Sequence, residues 1–275
     1  MTLTNMKNTI TSFISTECPW RDTLYWYQSL PSTNTRAKEL AEQGAPHGTA
    51  ILAGHQTQGK GRMGRSFHSP ENSGIYMSVI LRPDCSPTQL MHLTCGVGVA
   101  ICDAVYSATG FCPEIKWIND LVAKQRKLGG ILTELSVNPK TQMVDYAIIG
   151  VGINCSQSKT DFPEELQDIA ISLKEATGKT PSLPLLAGAM VTALWKMDIQ
   201  LLREKNAIMS RYRQRCITLG KKVVLLRSDS KQYGTAIDID DDGQLLVRFE
   251  NGKTEYVNSG EVSCRGMYGY LPKEN

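Results

Sequence analysis

The residues best suited to bind a charged ligand lie in one short glycine-rich loop. Residues 59–65 read Gly-Lys-Gly-Arg-Met-Gly-Arg, so that cations alternate with glycines. Glycine lets backbone N–H groups come close to a ligand, while Lys60, Arg62 and Arg65 supply positive charge. Such a run of cations is also typical of a solvated surface loop, but each glycine costs about 0.5–1 kcal/mol relative to alanine. The pattern therefore favours a loop that binds phosphate or carboxylate groups.

Two known phosphate-binding motifs almost match this loop, and both fail on their context. The glycines at 59, 61 and 64 have the G-x-G-x-x-G spacing, but a dinucleotide-binding loop opens directly into a helix. Here Ser-Pro at 69–70 and Asn-Ser-Gly at 72–74 follow instead. Residues 54–60 resemble the start of a P-loop, yet glycine stands where a P-loop needs Ser or Thr to hold magnesium. We therefore expect neither of these two folds.

Apolar and helical patterns place the loop between two strands of an α/β or α+β fold. Residues 49–53 and 75–81 read as buried strands. Helices are predicted over 35–43, where cap residues precede and Gly44 follows, and over 86–108, where Gly110 follows. Short turns between the strands favour a mixed sheet. Further strands are predicted at 114–117, 130–135 and 144–150, and further helices at about 183–202 and 211–216.

From Gly220 onward the pattern changes to short strands separated by turns. The turns are predicted at 228–230, 241–243 and 251–252, which is typical of a small all-β domain. We therefore divide the chain into an N-terminal extension (1–25), a main domain (26–218) and a C-terminal β domain (219–275).

The composition is that of an ordinary globular protein. Its 275 residues are 41% hydrophobic and 21% charged, and a net charge of +3 is too small to imply a polyanionic partner. We find no signal-peptide pattern and no run approaching the ~20 apolar residues that span a bilayer. The eight scattered cysteines lack metal-site spacing and are expected to be free thiols. We expect a cytoplasmic protein without a membrane partner.

With these features together, the sequence resembles the biotin protein ligase family over most of residues 30–155. In this family the loop usually has the sequence G-R-G-R-x-G-R. Segments 32–34, 116–121, 126–132 and 150–154 are similar to its S-T-N, K-W-P-N-D-[LI], R-K-[LV]-[AG]-G-I-L and G-[IVA]-G-[IL]-N motifs. There are two departures: Lys60 replaces an arginine and loses its bidentate fork, and Ile118 replaces a proline and its fixed φ.

The resemblance implies both a fold and an activity. The fold is a mixed sheet flanked by helices, of the biotin/lipoate ligase catalytic type, with a small SH3-like C-terminal barrel. The activity is that of an enzyme that converts biotin and ATP, with Mg²⁺ as cofactor, into biotinyl-5′-AMP and pyrophosphate. It then transfers biotin to a lysine of a biotin carboxyl carrier protein domain. Family analogy also implies a homodimer.

The resemblance assigns the biotin-binding residues one by one. Ser32, Thr33 and Gln56 would meet the ureido group, next to Asn34 of the same motif. Backbone groups around Gly59 and the side chains of Lys60 and Arg62 would fold over the valerate and the phosphate. From local sequence alone, Ser32 is equally well a helix N-cap.

Lys127 is expected to contact the biotin carboxylate and the α-phosphate, where it would offset the charge that builds during adenylation. A lysine beside apolar residues is unusual unless its charge is paired, and an anionic ligand would supply that partner. The alternative is a strand-edge lysine whose stem packs while its ammonium reaches water.

The remaining assignments concern ATP and the acceptor amine. Asp120, with Asn119, would hold Mg²⁺, although Asn-Asp is also an ordinary turn sequence. Asp120 is also a candidate base for the carrier lysine, with Lys116 as a candidate cationic neighbour. We expect Arg65, Phe67 and Asn154 near ATP, with Phe67 against the adenine face.

Two alternatives to a biotin protein ligase remain open from the sequence. A lipoate ligase would share the fold, and a nucleic-acid-binding module would explain the basic loop and the β domain. Some family members also repress transcription through an added N-terminal DNA-binding domain. About 30 residues precede Ser32, and units below ~40 residues seldom fold alone. We therefore expect the monofunctional type, without specific DNA binding.

Overall fold

The computed structural model describes residues 3–227, 230–258 and 263–265. Its main domain is built on a seven-stranded sheet with the order β1-β2-β3-β7-β6-β5-β4. β1 and β2 pair in parallel and all other neighbours are antiparallel, which confirms the predicted mixed sheet. The strands are β1 Leu24–Tyr27, β2 Thr49–Ala53, β3 Gly74–Leu81, β4 Glu114–Lys116, β5 Asp120–Ala123, β6 Arg126–Val137 and β7 Val144–Asn154.

Helices cover both faces of this sheet, which explains why its central strands are apolar without alternation. On one face, Ala37 and Ala41 pack against Ile51, Ile80 and Ile148. Their neighbours along β2, β3 and β7 point to the opposite face and join the larger core. The helices are α1 Leu3–Ser12, α2 Thr33–Glu42, α3 Leu93–Thr109, α4 Leu173–Thr177, α5 Leu183–Leu201 and α6 Lys205–Arg215.

The helix predicted over 86–108 is divided in two. Ser86 and Gln89 form a capping box around a 3₁₀ turn, Pro87–Leu90, and α3 begins only at Leu93. Gly110 ends α3 in the left-handed region, with a φ of 74°. By length and composition, the stretch Pro87–Thr109 is apolar enough to cross a membrane, which our sequence analysis did not expect. Its apolar window is 72% buried inside the fold, as a core helix requires.

The N-terminal extension is part of the main core. Ile10, Ile14 and Trp20 are almost fully buried, and α1 packs against α5 and β1. The sequence pattern predicted neither α1 nor β1.

The C-terminal unit is a five-stranded antiparallel sheet with the order β11-β10-β9-β8-β12. The predicted turns at 241–243 and 251–252 are present, and Gly243 and Gly252 have φ angles of 85° and 78°. The centre of the first predicted turn, residues 228–229, lies outside the described residues, as do 259–262 and 266–275. The strands are β8 Lys222–Arg227, β9 Ser230–Ile239, β10 Leu245–Phe249, β11 Thr254–Val257 and β12 Ser263–Arg265.

This C-terminal sheet is anchored to the site-bearing segment of the main domain. Trp117 Nε1 donates to the carbonyl of Gly243 at 2.9 Å, and Arg213 forms an ion pair with Asp241 at 2.6 Å. The Trp117 backbone N–H also donates to Thr218 Oγ1 at 2.9 Å. These contacts hold the start of the Lys-Trp-Ile-Asn-Asp segment against the end of the main domain.

The cysteines whose side chains the structure describes are free thiols, as predicted. All of them except Cys112 are buried. Burial raises the pKa of the Cys155 thiol to about 12, so it stays protonated at neutral pH. These thiols act as small apolar core groups.

Candidate functional site

The predicted site residues converge on one cavity of about 230 Å³. Its walls are formed by the glycine-rich loop, the start of α2, the facing ends of β4 to β7, and four residues of the segment after β7: Phe162, Leu166, Ile169 and Ala170. Its lining includes every predicted site residue except Gly59: Ser32, Thr33, Asn34, Gln56, Lys60, Arg62, Arg65, Phe67, Lys116, Asn119, Asp120, Lys127 and Asn154.

The glycine-rich loop arches over this cavity as a small closed turn. The N–H of Gly61 donates to the carbonyl of Arg65 at 2.7 Å, and Met63 adopts a left-handed φ of 55°. Arg62 Nη1 donates to Asn119 Oδ1 at 2.8 Å, which ties the loop to the opposite wall. Burial lowers the pKa of Arg62, against the opposing effect of Asp120. A guanidinium held partly out of water gains from a bound anion.

Gly59 has a packing role within the loop. It is buried beneath the loop and outside the cavity wall. A Cβ atom here would overlap the carbonyl oxygen of Phe67 and come within 2.7 Å of Ser69 Oγ. The N–H of Phe67 donates to the Gly59 carbonyl at 2.8 Å. Glycine is therefore needed for the close packing of the two arms of the loop.

Glycines of β6 and β7 make a flat floor for the cavity. A Cβ atom at Gly150 would overlap the amide oxygen of Asn34, and one at Gly152 would lie 2.5 Å from the Phe67 ring. Gly130 pairs with Gly152 across the two strands. Because glycine has no Cβ atom, Asn34 and Phe67 can lie directly on the sheet. This is a physical reason for the Gly-Val-Gly-Ile-Asn motif.

Lys127 and Asp120 form an ion pair, with Nζ and Oδ1 2.7 Å apart. This carboxylate partner of Lys127 was not predicted from the sequence. The β5–β6 hairpin brings the two side chains together, and they are 33% and 22% exposed. Lys116, only 7% exposed, is the register partner of Asp120 on β4. The site thus places two lysines beside one carboxylate.

A second polar cluster lies at the start of α2 and carries no charge. It consists of Ser32, Thr33, Asn34, Gln56 and Ser78. Ser32 occupies the N-cap position of α2, but its hydroxyl makes no capping hydrogen bond. Gln56 Oε1 accepts from the backbone N–H of Thr33 at 2.8 Å and from its hydroxyl at 3.1 Å. Ser78, fully buried on β3, donates to Thr33 Oγ1 at 2.8 Å and to Asn34 Oδ1 at 2.6 Å.

Sequence reasoning missed Ser78 and one whole wall of the cavity. The signal for Ser78 was present, because it is the polar residue within an apolar strand, Gly74–Leu81. The missed wall contains Phe162, Leu166, Ile169 and Ala170. It is attached to the sheet through Lys127, whose N–H donates to the Ile169 carbonyl at 2.7 Å. This irregular segment carries no recognisable motif.

The two polar clusters lie at successive positions along the glycine floor. Asn34 lies on Gly150, whereas Lys127 Nζ lies beside Gly130, the partner of Gly152. Two residues along a strand span about 7 Å. The cavity can therefore accept a ligand with a neutral hydrogen-bonding group at one end and an anionic group at the other.

Comparison with known proteins gives consistent matches. A model of the biotin/lipoate A/B protein ligase family matches residues 26–154, and one of the biotin protein ligase C-terminal domain matches 218–265. The bifunctional ligase/repressor BirA of Bacillus subtilis is 35% identical over 230 residues, which are 83% of this chain and 70% of that protein. The biotin–[acetyl-CoA-carboxylase] ligase of Mycobacterium tuberculosis is 32% identical over 237 residues, 84% of this chain and 85% of that one.

Solved structures agree with the sequence comparisons. The biotin protein ligase from Aquifex aeolicus in complex with biotin and ATP superimposes with a TM-score of 0.73 at 29% identity. The match covers 89% of this chain and 99% of the Aquifex chain. With the motifs lining one cavity and both parts of the chain matched, the chain belongs to the biotin protein ligase family.

Proposed function

We propose that this protein activates biotin with ATP and transfers it to a lysine of a biotin carboxyl carrier protein domain. The observation that carries the proposal is the spacing of the two polar clusters along the glycine floor. Biotin has a urea at one end and a carboxylate at the other, joined by an apolar ring and chain. Ser32, Thr33 and Gln56 suit the urea, while Lys127 and Arg62 suit the carboxylate and the phosphate that it attacks.

In the first step, a carboxylate oxygen of biotin forms a bond to the α-phosphorus of ATP. The bond from that phosphorus to the bridging oxygen breaks, and pyrophosphate leaves with the electron pair. Negative charge gathers between the carboxylate and the phosphate, where Lys127 and Arg62 would offset it. Lys127 would exchange part of its contact with Asp120 for the ligand. Phe67, lying on Gly152, suits the adenine face.

In the second step, the carrier lysine attacks the acyl carbon, and AMP leaves. The amine must first lose its proton, although an unperturbed lysine has a pKa of about 10.4. Asp120, released from Lys127 by the anionic ligand, is our proposed acceptor of that proton. The neighbouring ammonium of Lys116 would disfavour a second positive charge in the same place.

The residues present fit magnesium that arrives with ATP. Among the described residues, Asp120 is the one carboxylate lining the cavity, and no group of three or more His, Cys, Asp or Glu side chains could hold a metal ion. Magnesium commonly takes one or two protein carboxylates and completes its shell with phosphate oxygens and water. We propose that Asp120 is its protein ligand during adenylation, before the same carboxylate accepts the proton in the second step, and the ion would neutralise phosphate charge.

Exchange of labelled pyrophosphate into ATP tests the proposal, because adenylation is reversible. We expect exchange to require biotin. Exchange that requires lipoate would favour a lipoate ligase of the same fold. Absence of exchange together with salt-sensitive RNA binding would favour a nucleic-acid-binding module. For the second step, labelled biotin should appear on a purified carrier domain, and a Lys→Arg change at its acceptor should abolish labelling.

A further inference from the structure

An exposed carboxylate on β6 is hydrogen-bonded to a polar side chain that lines the cavity. Asn34 Nδ2 donates to Glu134 Oε2 at 2.6 Å, and Glu134 itself is exposed. A carboxylate accepts hydrogen bonds but does not donate them, so the amide nitrogen of Asn34 must face Glu134. Its oxygen is then directed towards Ser78.

Ser78 keeps this orientation on the inner side. Its hydroxyl is fully buried and has a single proton, which lies between Asn34 Oδ1 at 2.6 Å and Thr33 Oγ1 at 2.8 Å. The Thr33 hydroxyl donates its own proton to Gln56 Oε1, and the amide nitrogen of Asn34 faces Glu134. Thr33 Oγ1 and Asn34 Oδ1 are therefore both acceptors towards Ser78. Asn34 is only 5% exposed and lies on Gly150. If its amide were rotated by 180°, its N–H groups would take the place of its oxygen at this wall of the cavity.

We propose that Glu134 is a positioning residue that makes this end of the cavity a hydrogen-bond acceptor and so selects ligands with N–H groups. The inference rests on the proposed function, in which the ureido end of biotin lies at this cluster. Glu134 lies outside the cavity wall and acts through Asn34. A urea offers two N–H donors, whereas an analogue with a ring oxygen in place of one N–H would face Asn34 with a second acceptor.

The test compares biotin with its cyclic carbamate analogue, in which a ring oxygen replaces one ureido N–H. In the carbamate complex, the ring oxygen and the Asn34 oxygen are two hydrogen-bond acceptors that face each other without a proton between them. This should reduce kcat/KM for the carbamate by roughly 5- to 150-fold relative to biotin. We expect the unchanged protein to discriminate in this range in pyrophosphate exchange. Glu134→Gln keeps the size of the side chain but can donate as well as accept. It should reduce the discrimination by about threefold or more, and KM for ATP should stay the same.

A paired exchange of side-chain types provides the rescue. In the double variant N34D/E134Q, an amide at 134 can donate to a carboxylate at 34, whose other oxygen again faces Ser78. We expect its discrimination to return towards that of the unchanged protein, even if its KM for biotin changes. Thr133→Val is the matched control on β6, because it removes a hydrogen bond to Thr94 Oγ1 (2.7 Å) outside the cavity. It should leave the discrimination unchanged.

The outcomes separate this inference from the proposed function. Loss of discrimination in E134Q with recovery in N34D/E134Q supports the positioning role. Biotin-dependent exchange with unaltered discrimination in E134Q overturns the role of Glu134 alone. If the unchanged protein shows no biotin-dependent exchange, the proposed function fails and this inference fails with it. An equal loss in Thr133→Val would reduce the effect to a general disturbance of β6.

Discussion

Replacing Lys127 by alanine should damage catalysis far more than stability. Without ligand, its ion pair with Asp120 is a third and a fifth exposed, so solvent screens it and its contribution is about 1 kcal/mol or less. For a chain of this size, the melting temperature should fall by no more than about 2–4 °C. With biotin and ATP bound, the variant lacks a cation where negative charge builds between the biotin carboxylate and the α-phosphate. It also leaves the Asp120 carboxylate without its lysine partner beside the phosphates. A loss of about 2–5 kcal/mol reduces exchange roughly 30- to several thousand-fold.

Pyrophosphate exchange and thermal melting of the same samples measure both quantities. Lys127→Arg should rescue only partly, because a planar guanidinium cannot occupy the position of the compact ammonium. Lys159→Ala is a matched control, since it removes an exposed ion pair with Asp168 outside the cavity. Near-normal exchange in Lys127→Ala would refute our reasoning. A large loss of ligand-free stability would instead make Lys127 a structural residue.

Three further predictions concern the floor, the loop and pH. Gly152→Ala should displace the Phe67 ring and raise KM for ATP by up to about 100-fold. In steady-state kinetics KM for biotin should rise less, and equal changes in the two KM values would contradict this. Arg62→Gly should keep some adenylation but release more biotinyl-5′-AMP into a dialysate, because the loop loses its tie to Asn119; unchanged retention would argue against this. Burial lowers the pKa of His92, so the folded state binds fewer protons than the unfolded state. Stability should therefore fall as pH drops through about 6.5, and His92→Asn should flatten this fall in thermal melts.

The sequence predicted the fold best where local patterns are strong. β2 has the predicted bounds, and α2 ends near Gly44 as expected, because apolar runs and glycine stops act locally. The β5–β6 hairpin was missed for a local reason. Lys124 and Gln125 adopt positive φ angles of 47° and 60° in its turn, where Asn-Gly would have been the usual signal.

The site was predictable in its motif residues but not in its partners. The motifs are far apart in sequence, and nearly all their predicted residues line one cavity. The Lys127–Asp120 pair depends on the missed hairpin, and the Asn34–Glu134 bond joins residues 100 positions apart. Tertiary contacts of this kind leave no periodic pattern in the sequence. The wall at 162–170 is irregular and carries no motif, so only the folded chain identifies it.

The central claim is that one cavity holds biotin and ATP together for adenylation. Biotin-dependent exchange of labelled pyrophosphate into ATP tests it most directly, with lipoate and a no-acid sample in parallel. Our account predicts exchange with biotin, little with lipoate and none without an acid. Equal exchange with all three, or exchange with lipoate alone, would contradict it.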